Sequence, residues 1–221
     1  MKLLAIDAST EMASVALMLG DQIFALEQGS QRTHAQLLLP LIDKLLSDAK
    51  TTVAQLDGIV FGCGPGSFTG LRIACSIAKG LAYPHNLPLY PVSCLGAIAA
   101  LAREQLGPDT NVLAVIDARM QEMYWGYYAQ NILVTEDKVS AVQAIQVPDA
   151  TPFVVAGVGM DLYWPELPDP LKGQVTSQLN LYPNAASMLR LVSLAGIQPV
   201  SVAQAQPIYV RNQVTQGESR G

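Results

Sequence analysis

At 221 residues, half of them hydrophobic and 14% charged, the chain has apolar mass enough for a large core, which excludes a disordered protein. The net charge is -5, with seven Lys/Arg against eight Asp/Glu in residues 1–107 and six against ten in 108–221; neither half has the basic surplus that gripping a phosphate backbone requires, so nucleic acid is expected to be met only through a partner. Three cysteines without C-x-x-C spacing argue against a zinc cluster or disulfide framework, and no stretch approaches the ~18 apolar residues of a membrane span, so the chain reads as cytoplasmic and free of the membrane.

Residues 2–8 form an apolar strand ending on Asp7. Residues 12–19 and 22–28 flank Gly20-Asp21, a hairpin signal, so the chain opens as an antiparallel meander. A helical pattern runs from Thr33, its N-cap, to Ala49. A short buried strand at 56–62 leads into "GCGPGSFTGLRI" (Gly62 to Ile73). A helix follows from about Thr69 to Tyr83, with Ser67 or Thr69 as its cap, and Pro84 and Pro88 end it. "LPLYPV" is a further strand and 94–106 a further helix. Gly107-Pro108-Asp109 marks the expected boundary between halves.

After it a strand at 111–118 again carries a late aspartate, Asp117, and 122–130 follows beyond a turn. The second half thus echoes the first, which predicts a duplicated α/β fold in two domains, 1–107 and 108–221. Residues 165–170 read as loop, 184–196 as helix, and the tail after Gln213 as frayed.

The glycine loop follows a strand and opens a helix, the right setting for an anion at a helix N-terminus. It misses the sharper templates. Leu71 stands where G-x-x-x-x-G-K-[ST] needs lysine, Thr69 where G-x-G-x-x-G needs glycine, and Pro65 and Thr69 where a G-x-S-x-G elbow needs glycines. A tight turn is therefore the preferred reading, with Asp7, Ser9, Gly64, Gly66 and Ser67 as a candidate vestigial nucleotide site. Asp7 in "AIDAST" is followed two residues on by Ser9, whose Cβ crowds an approach that glycine would permit. An Asx turn is the competing use of such an aspartate. His34 and His85 lie far apart and give no metal spacing. Asp117-Ala118-Arg119 offers an acid and a guanidinium, more simply read as a local ion pair.

The helices carry the stronger signal. Apolar positions of 34–49 sweep roughly 200°, about twice what a helix on one sheet needs. The 69–83 helix is as broad and has small residues at strict fours: Gly70, Ala74, Ala78 and Ala82. These are expected to let a partner helix approach closely, with Leu38, Leu41 and Leu45 filling the neighbouring groove. On that expectation Ala78 faces outward, and a charge placed there breaks the seam but not the fold.

Taken together, "LLAIDAST", "THAQLLLPLI", "GPGSFTGLRI", "DAR" with a downstream Tyr124, and "PIYVRNQVT" resemble the bacterial TsaB (YeaZ) family over nearly the whole chain. The resemblance implies the two-domain actin/Hsp70/sugar-kinase fold, with the last segment packing back on the first domain. It implies a non-catalytic subunit that heterodimerises through helices of its N-terminal domain with a TsaD-like enzyme, the one that places threonylcarbamoyl on the adenosine beside the anticodon of tRNA. A TsaE-like ATPase is a further partner, and tRNA is reached through the complex. ATP or ADP and metal then belong to the partner subunits, with none bound by this chain alone. In TsaD-like chains an H-x-x-x-H pair holds the metal; "PVSCLGAI" puts Cys94 and Ile98 at those places, and Ile98 cannot ligate. One departure from the family is Met120, where many relatives carry a second arginine. The same helical seam would serve a homodimer when the partner is absent. The competing readings are a small actin-fold phosphotransferase using Asp7 and Asp117, and a peptidase, for which no nucleophile–base pair is matched.

Overall fold

A computed structural model describes residues 1–29, 34–129, 132–133, 136–148 and 151–210. The opening meander is β1 (Lys2–Asp7), β2 (Met12–Leu19) and β3 (Gln22–Gly29). Gly20, at φ 62, supplies the left-handed residue that the hairpin between β2 and β3 requires. Then come α1 (His34–Asp48), β4 (Gly58–Gly64), α2 (Phe68–Ala82), β5 (Leu89–Ser93) and α3 (Cys94–Leu106). β4 pairs in parallel with β1 on one side and β5 on the other, giving the order β3-β2-β1-β4-β5. Every residue of β4 is buried, as a central strand covered on both faces must be.

The second half repeats this plan. β6 (Val112–Arg119), β7 (Glu122–Ala129) and β8 (Ile132–Leu133) form the antiparallel side, with β9 (Lys138–Ala141) also on β7. β10 (Phe153–Val158) and β11 (Val175–Asn180) continue in parallel beyond β6. The order β11-β10-β6-β7-β8 is the first sheet's order met again. This is the duplicated α/β arrangement of the actin/Hsp70/sugar-kinase fold. Two one-turn helices, α4 (Met160–Tyr163) and α5 (Asp169–Lys172), precede β11, and α6 (Ala185–Ala195) follows it.

Side-chain alternation in β1 assigns Leu3 and Ala5 to one core and Leu4 and Ile6 to another. The Leu4 side lies under α1 and α2. The Leu3 side is a layer shared by both sheets, where Ile98 of α3 and Met188 of α6 meet Val60, Val112 and Val154. A third core, around Trp125, Tyr127 and Phe153, lies on the other face of the second sheet. α6 is fixed to the first sheet by the Ala185 N–H, which donates to Ser14 Oγ at 2.9 Å.

Several expectations need correction. The stripe Gly70, Ala74, Ala78 and Ala82 faces inward and is buried. Small side chains let α2 settle closely onto its own sheet, and a Cβ on Gly70 would run into the Ala8 carbonyl oxygen. Leu38 and Leu45 are buried in the same core, and Leu41 is half-buried against it. None of these seven forms the outward face, and a charge at Ala78 would enter the core. Of the two cap candidates, Ser67 is the N-cap of α2, accepting from the Gly70 N–H at 3.3 Å. Residues 165–170 are helical in part, through a 3-10 turn at Trp164–Glu166 and α5, because Pro165 and Pro170 sit at first-turn positions that tolerate a missing N–H. Thr33 and the tail after Gln213 lie outside the described residues.

Candidate functional site

A cleft of about 610 Å³ opens between the two halves. Ser9, Gly66 and Ser67 line it from the first half, Asp117 and Gly159 from the second. Each half builds its wall in the same way, by pressing a glycine of one strand-end loop against another strand end. A Cβ on Gly66 would stand 2.5 Å from the Ser9 carbonyl oxygen, and one on Gly159 would stand 2.6 Å from Asp117 Cβ. The Ser67 N–H donates to that same Ser9 carbonyl at 2.7 Å. The loop's glycines are thus used for close contact with the chain itself.

Of the five residues of the candidate nucleotide site, Ser9, Gly66 and Ser67 reach the cleft, whereas Asp7 and Gly64 are buried behind it. Asp7 Oδ2 accepts from the Ser9 hydroxyl at 3.0 Å, and Oδ1 accepts from the Cys94 thiol at 3.9 Å. Burial pushes the Asp7 carboxyl up to about 7, only partly offset by the Ser9 hydrogen bonds. A carboxyl held toward its neutral form is a poor ligand for a hard divalent cation. Burial likewise raises the Cys63 thiol to about 12 and holds the Cys94 thiol well above its ordinary value, so neither is a ready nucleophile.

The cleft's two carboxylates are also engaged. Asp117 accepts from the Arg119 N–H at 2.8 Å and from Arg119 Nη1 at 3.1 Å. Glu11 accepts from the Tyr182 hydroxyl at 2.8 Å. Asp7 and Asp117, paired in the phosphotransferase reading, therefore differ sharply: one is enclosed in the core, the other is tied up by its own turn. Cys94 and Ile98 are both fully buried. Among the described residues, no three His, Cys, Asp or Glu side chains cluster to hold a metal.

A second feature lies on the outer face of the first sheet, where α1 and α2 run side by side. Between them is a groove of about 500 Å³ floored by Ile73 and Ile77. Leu39 and Phe68 flank it, 50% and 45% exposed. Arg72 is its charged residue. Ile73 and Ile77 are half-buried, packing on the core with one side and lining the groove with the other, while Leu39 and Phe68 stand out into solvent.

The chain's last described segment runs back across the first half. Val200 exchanges two backbone hydrogen bonds with Leu89, Lys79 Nζ donates to the Ala205 carbonyl at 3.0 Å, and the Ile208 N–H donates to the Cys63 carbonyl at 2.7 Å. Tyr209 then lies beside Phe68, with ring centroids 5.2 Å apart, and lines the cleft. Sequence reasoning counted Leu39, Ile73 and Ile77 only among the positions of the broad apolar arcs and did not single out Phe68, Arg72 or Tyr209. The quoted segments "GPGSFTGLRI" and "PIYVRNQVT" contain four of these six, but only the fold shows that the two meet. The half-buried acid Asp137, accepting from Ser93 Oγ at 2.8 Å and from the Tyr128 hydroxyl at 3.3 Å, was also missed.

Comparison with known proteins follows the same lines. The family model for TsaD, tRNA N6-adenosine threonylcarbamoyltransferase, matches residues 27–163. The tRNA threonylcarbamoyladenosine biosynthesis protein TsaB of Haemophilus influenzae is 37% identical, over 96% of this chain and 94% of its own length. Its Escherichia coli counterpart is 35% identical, over 97% and 96%. The structure of YeaZ from Pseudomonas aeruginosa is similar with a TM-score of 0.86 at 36% identity, covering 94% of this chain and 99% of that one.

Proposed function

The chain belongs to the TsaB (YeaZ) family of tRNA threonylcarbamoyladenosine biosynthesis proteins, and from that premise we propose that it acts there as a non-catalytic subunit, docking a TsaD-like catalytic partner on the outer faces of α1 and α2. The observation that carries this reading is the groove itself. Leu39, Phe68, Ile73 and Ile77 present apolar surface on two adjacent helices whose inner faces are already satisfied by their own sheet. An exposed apolar patch framed by polar residues is the usual mark of a protein interface.

The cleft supports the same division of labour. A phosphotransferase needs a free carboxylate to manage a metal and an open backbone to receive phosphate. Here Asp7 is enclosed, Asp117 is bonded to Arg119, and Gly66 is covered by Ser9. Nucleotide and metal chemistry then fall to the TsaD-like subunit and a TsaE-like ATPase, and tRNA is engaged by the assembly.

The test is reconstitution. The purified chain, mixed with the TsaD-like subunit of the same organism, should form a stable complex and be required for threonylcarbamoyladenosine formation on tRNA. Leu39→Asp, at a groove residue 50% exposed, should abolish both while leaving the melting temperature nearly unchanged. Modification that proceeds equally well without this chain would refute the role, and ATP turnover by the chain alone that is lost in Asp7→Ala would restore the phosphotransferase.

A further inference from the structure

We infer that Arg72 is a pre-set anchor for a carboxylate, an Asp or Glu carried by the otherwise apolar helix that docks between α1 and α2; this rests on the docking reading above. The Arg72 guanidinium is fixed on two sides. Its Cζ lies 3.7 Å from the centroid of the Phe68 ring, and its Nε–H donates to the Tyr209 hydroxyl at 2.8 Å. Stacking sets the plane of the guanidinium, and the hydroxyl sets its rotation within that plane. With Nε committed, the Nη groups are left to meet an incoming acceptor. The fork geometry of arginine suits a carboxylate taken by two parallel N–H donors.

The groove lining contains no Asp or Glu, and among the described residues no carboxylate pairs with Arg72. Tyr209 and Phe68 are both more than 40% exposed. A hydrogen bond and a stack at so wet a site add little to folding stability. Their effect is to order a long, flexible side chain before a partner arrives, so that less ordering is required on binding. The hydroxyl comes from 137 residues along the chain, held in place by the backbone bond of Ile208 to Cys63.

A protein carboxylate is favoured over a nucleic-acid phosphate by the surroundings. One guanidinium set among Leu39, Ile73 and Ile77 is the charge pattern of a helix seat. Phosphate tracking needs several cations in a row.

The experiment measures affinity between the full chain and the TsaD-like subunit of the same organism, at low and at physiological salt. Arg72→Glu should weaken binding roughly 30-fold or more, and changing the opposing acid of the partner to lysine should restore it. Tyr209→Phe keeps the ring and removes the hydroxyl; it should weaken binding several-fold in the parent chain. In an Arg72→Ala background the same change should have no effect, because the two act as a unit. Circular dichroism and melting should stay unchanged in all these variants. If Arg72→Glu binds normally while Leu39→Asp does not, docking stands and the anchor is refuted. If neither change weakens binding, both readings fall. Should Arg72→Glu impair only tRNA binding by the chain alone, the anion is a phosphate and the inference is overturned.

Discussion

Replacing Asp7 by Asn should alter how stability depends on pH in a way that can be worked out beforehand. The Asp7 carboxyl is wholly enclosed, and burial raises it from an ordinary 3.8 to about 7. Below the ordinary value both folded and unfolded chains are protonated, and the group contributes no pH dependence. As pH rises from there to about 7, the unfolded chain releases its proton while the folded chain keeps it, so stability falls with rising pH. The slope is about 1.4 kcal/mol per unit, and the full loss above pH 7 is about 4 kcal/mol. Asn carries no proton to release. Urea denaturation of both proteins from about pH 4 to about pH 8.5 would therefore show the difference, Asn variant minus parent, climbing in favour of Asn and then levelling. Other titrating groups cancel in that difference. Whatever Asn loses in bonds to Ser9 and Cys94 shifts the curve up or down without tilting it. A difference that stays flat across the range would show that Asp7 ionises in the folded chain as easily as in the unfolded one, and the account of its enclosure would be wrong.

Ala78→Glu should cause a large fall in melting temperature, because it places an unpaired carboxylate in a close-packed layer; a cost of about 4 kcal/mol or more is a large share of a typical domain's stability, and an unchanged melting temperature would refute the inward placement. Gly70→Ala should destabilise by about 1–3 kcal/mol through overlap with the Ala8 carbonyl, read as a lower denaturation midpoint with an unchanged slope. Gel shifts at physiological salt should show only weak tRNA binding by the chain alone, as its charge balance dictates, and tight capture without a partner would contradict that.

Much of the architecture was legible because strand ends and turns are local chemistry. Asp7 and Asp117 closing similar apolar runs revealed the duplication, and Gly20-Asp21 marked its hairpin. The direction of the small-residue stripe was not legible. Gly70, Ala74, Ala78 and Ala82 permit close approach by any surface, and their spacing does not distinguish a sheet of the same chain from a helix of another. The breadth of the apolar arcs was a truer signal than the stripe: the excess over one sheet's needs is the groove around Ile73 and Ile77. β10 and β11 escaped notice for opposite reasons. "FVVAGV" is an apolar run too short to carry a period, and "VTSQLN" is an alternating edge strand too polar to stand out. The Arg72–Tyr209 contact joins positions that only the fold brings together.

The placement of α6 bears on how the protein is made. Leu3, Val60 and Val92 of the first sheet are covered in part by Met188 and Leu189 of α6, which follow the sheet's last strand, β5, only after the whole second sheet. During synthesis the first sheet can form, but one of its faces lacks this cover until residues 185–195 have left the ribosome. At ~5–20 residues per second that leaves several seconds with exposed apolar surface. The nascent chain thus stays vulnerable to aggregation until α6 emerges, and a premature stop before α6 yields a product whose first sheet stays partly uncovered on that face. Ribosome-stalled chains ending before and after α6 should differ sharply in protease resistance of the first half, although every residue of β1 to β5 is present in both.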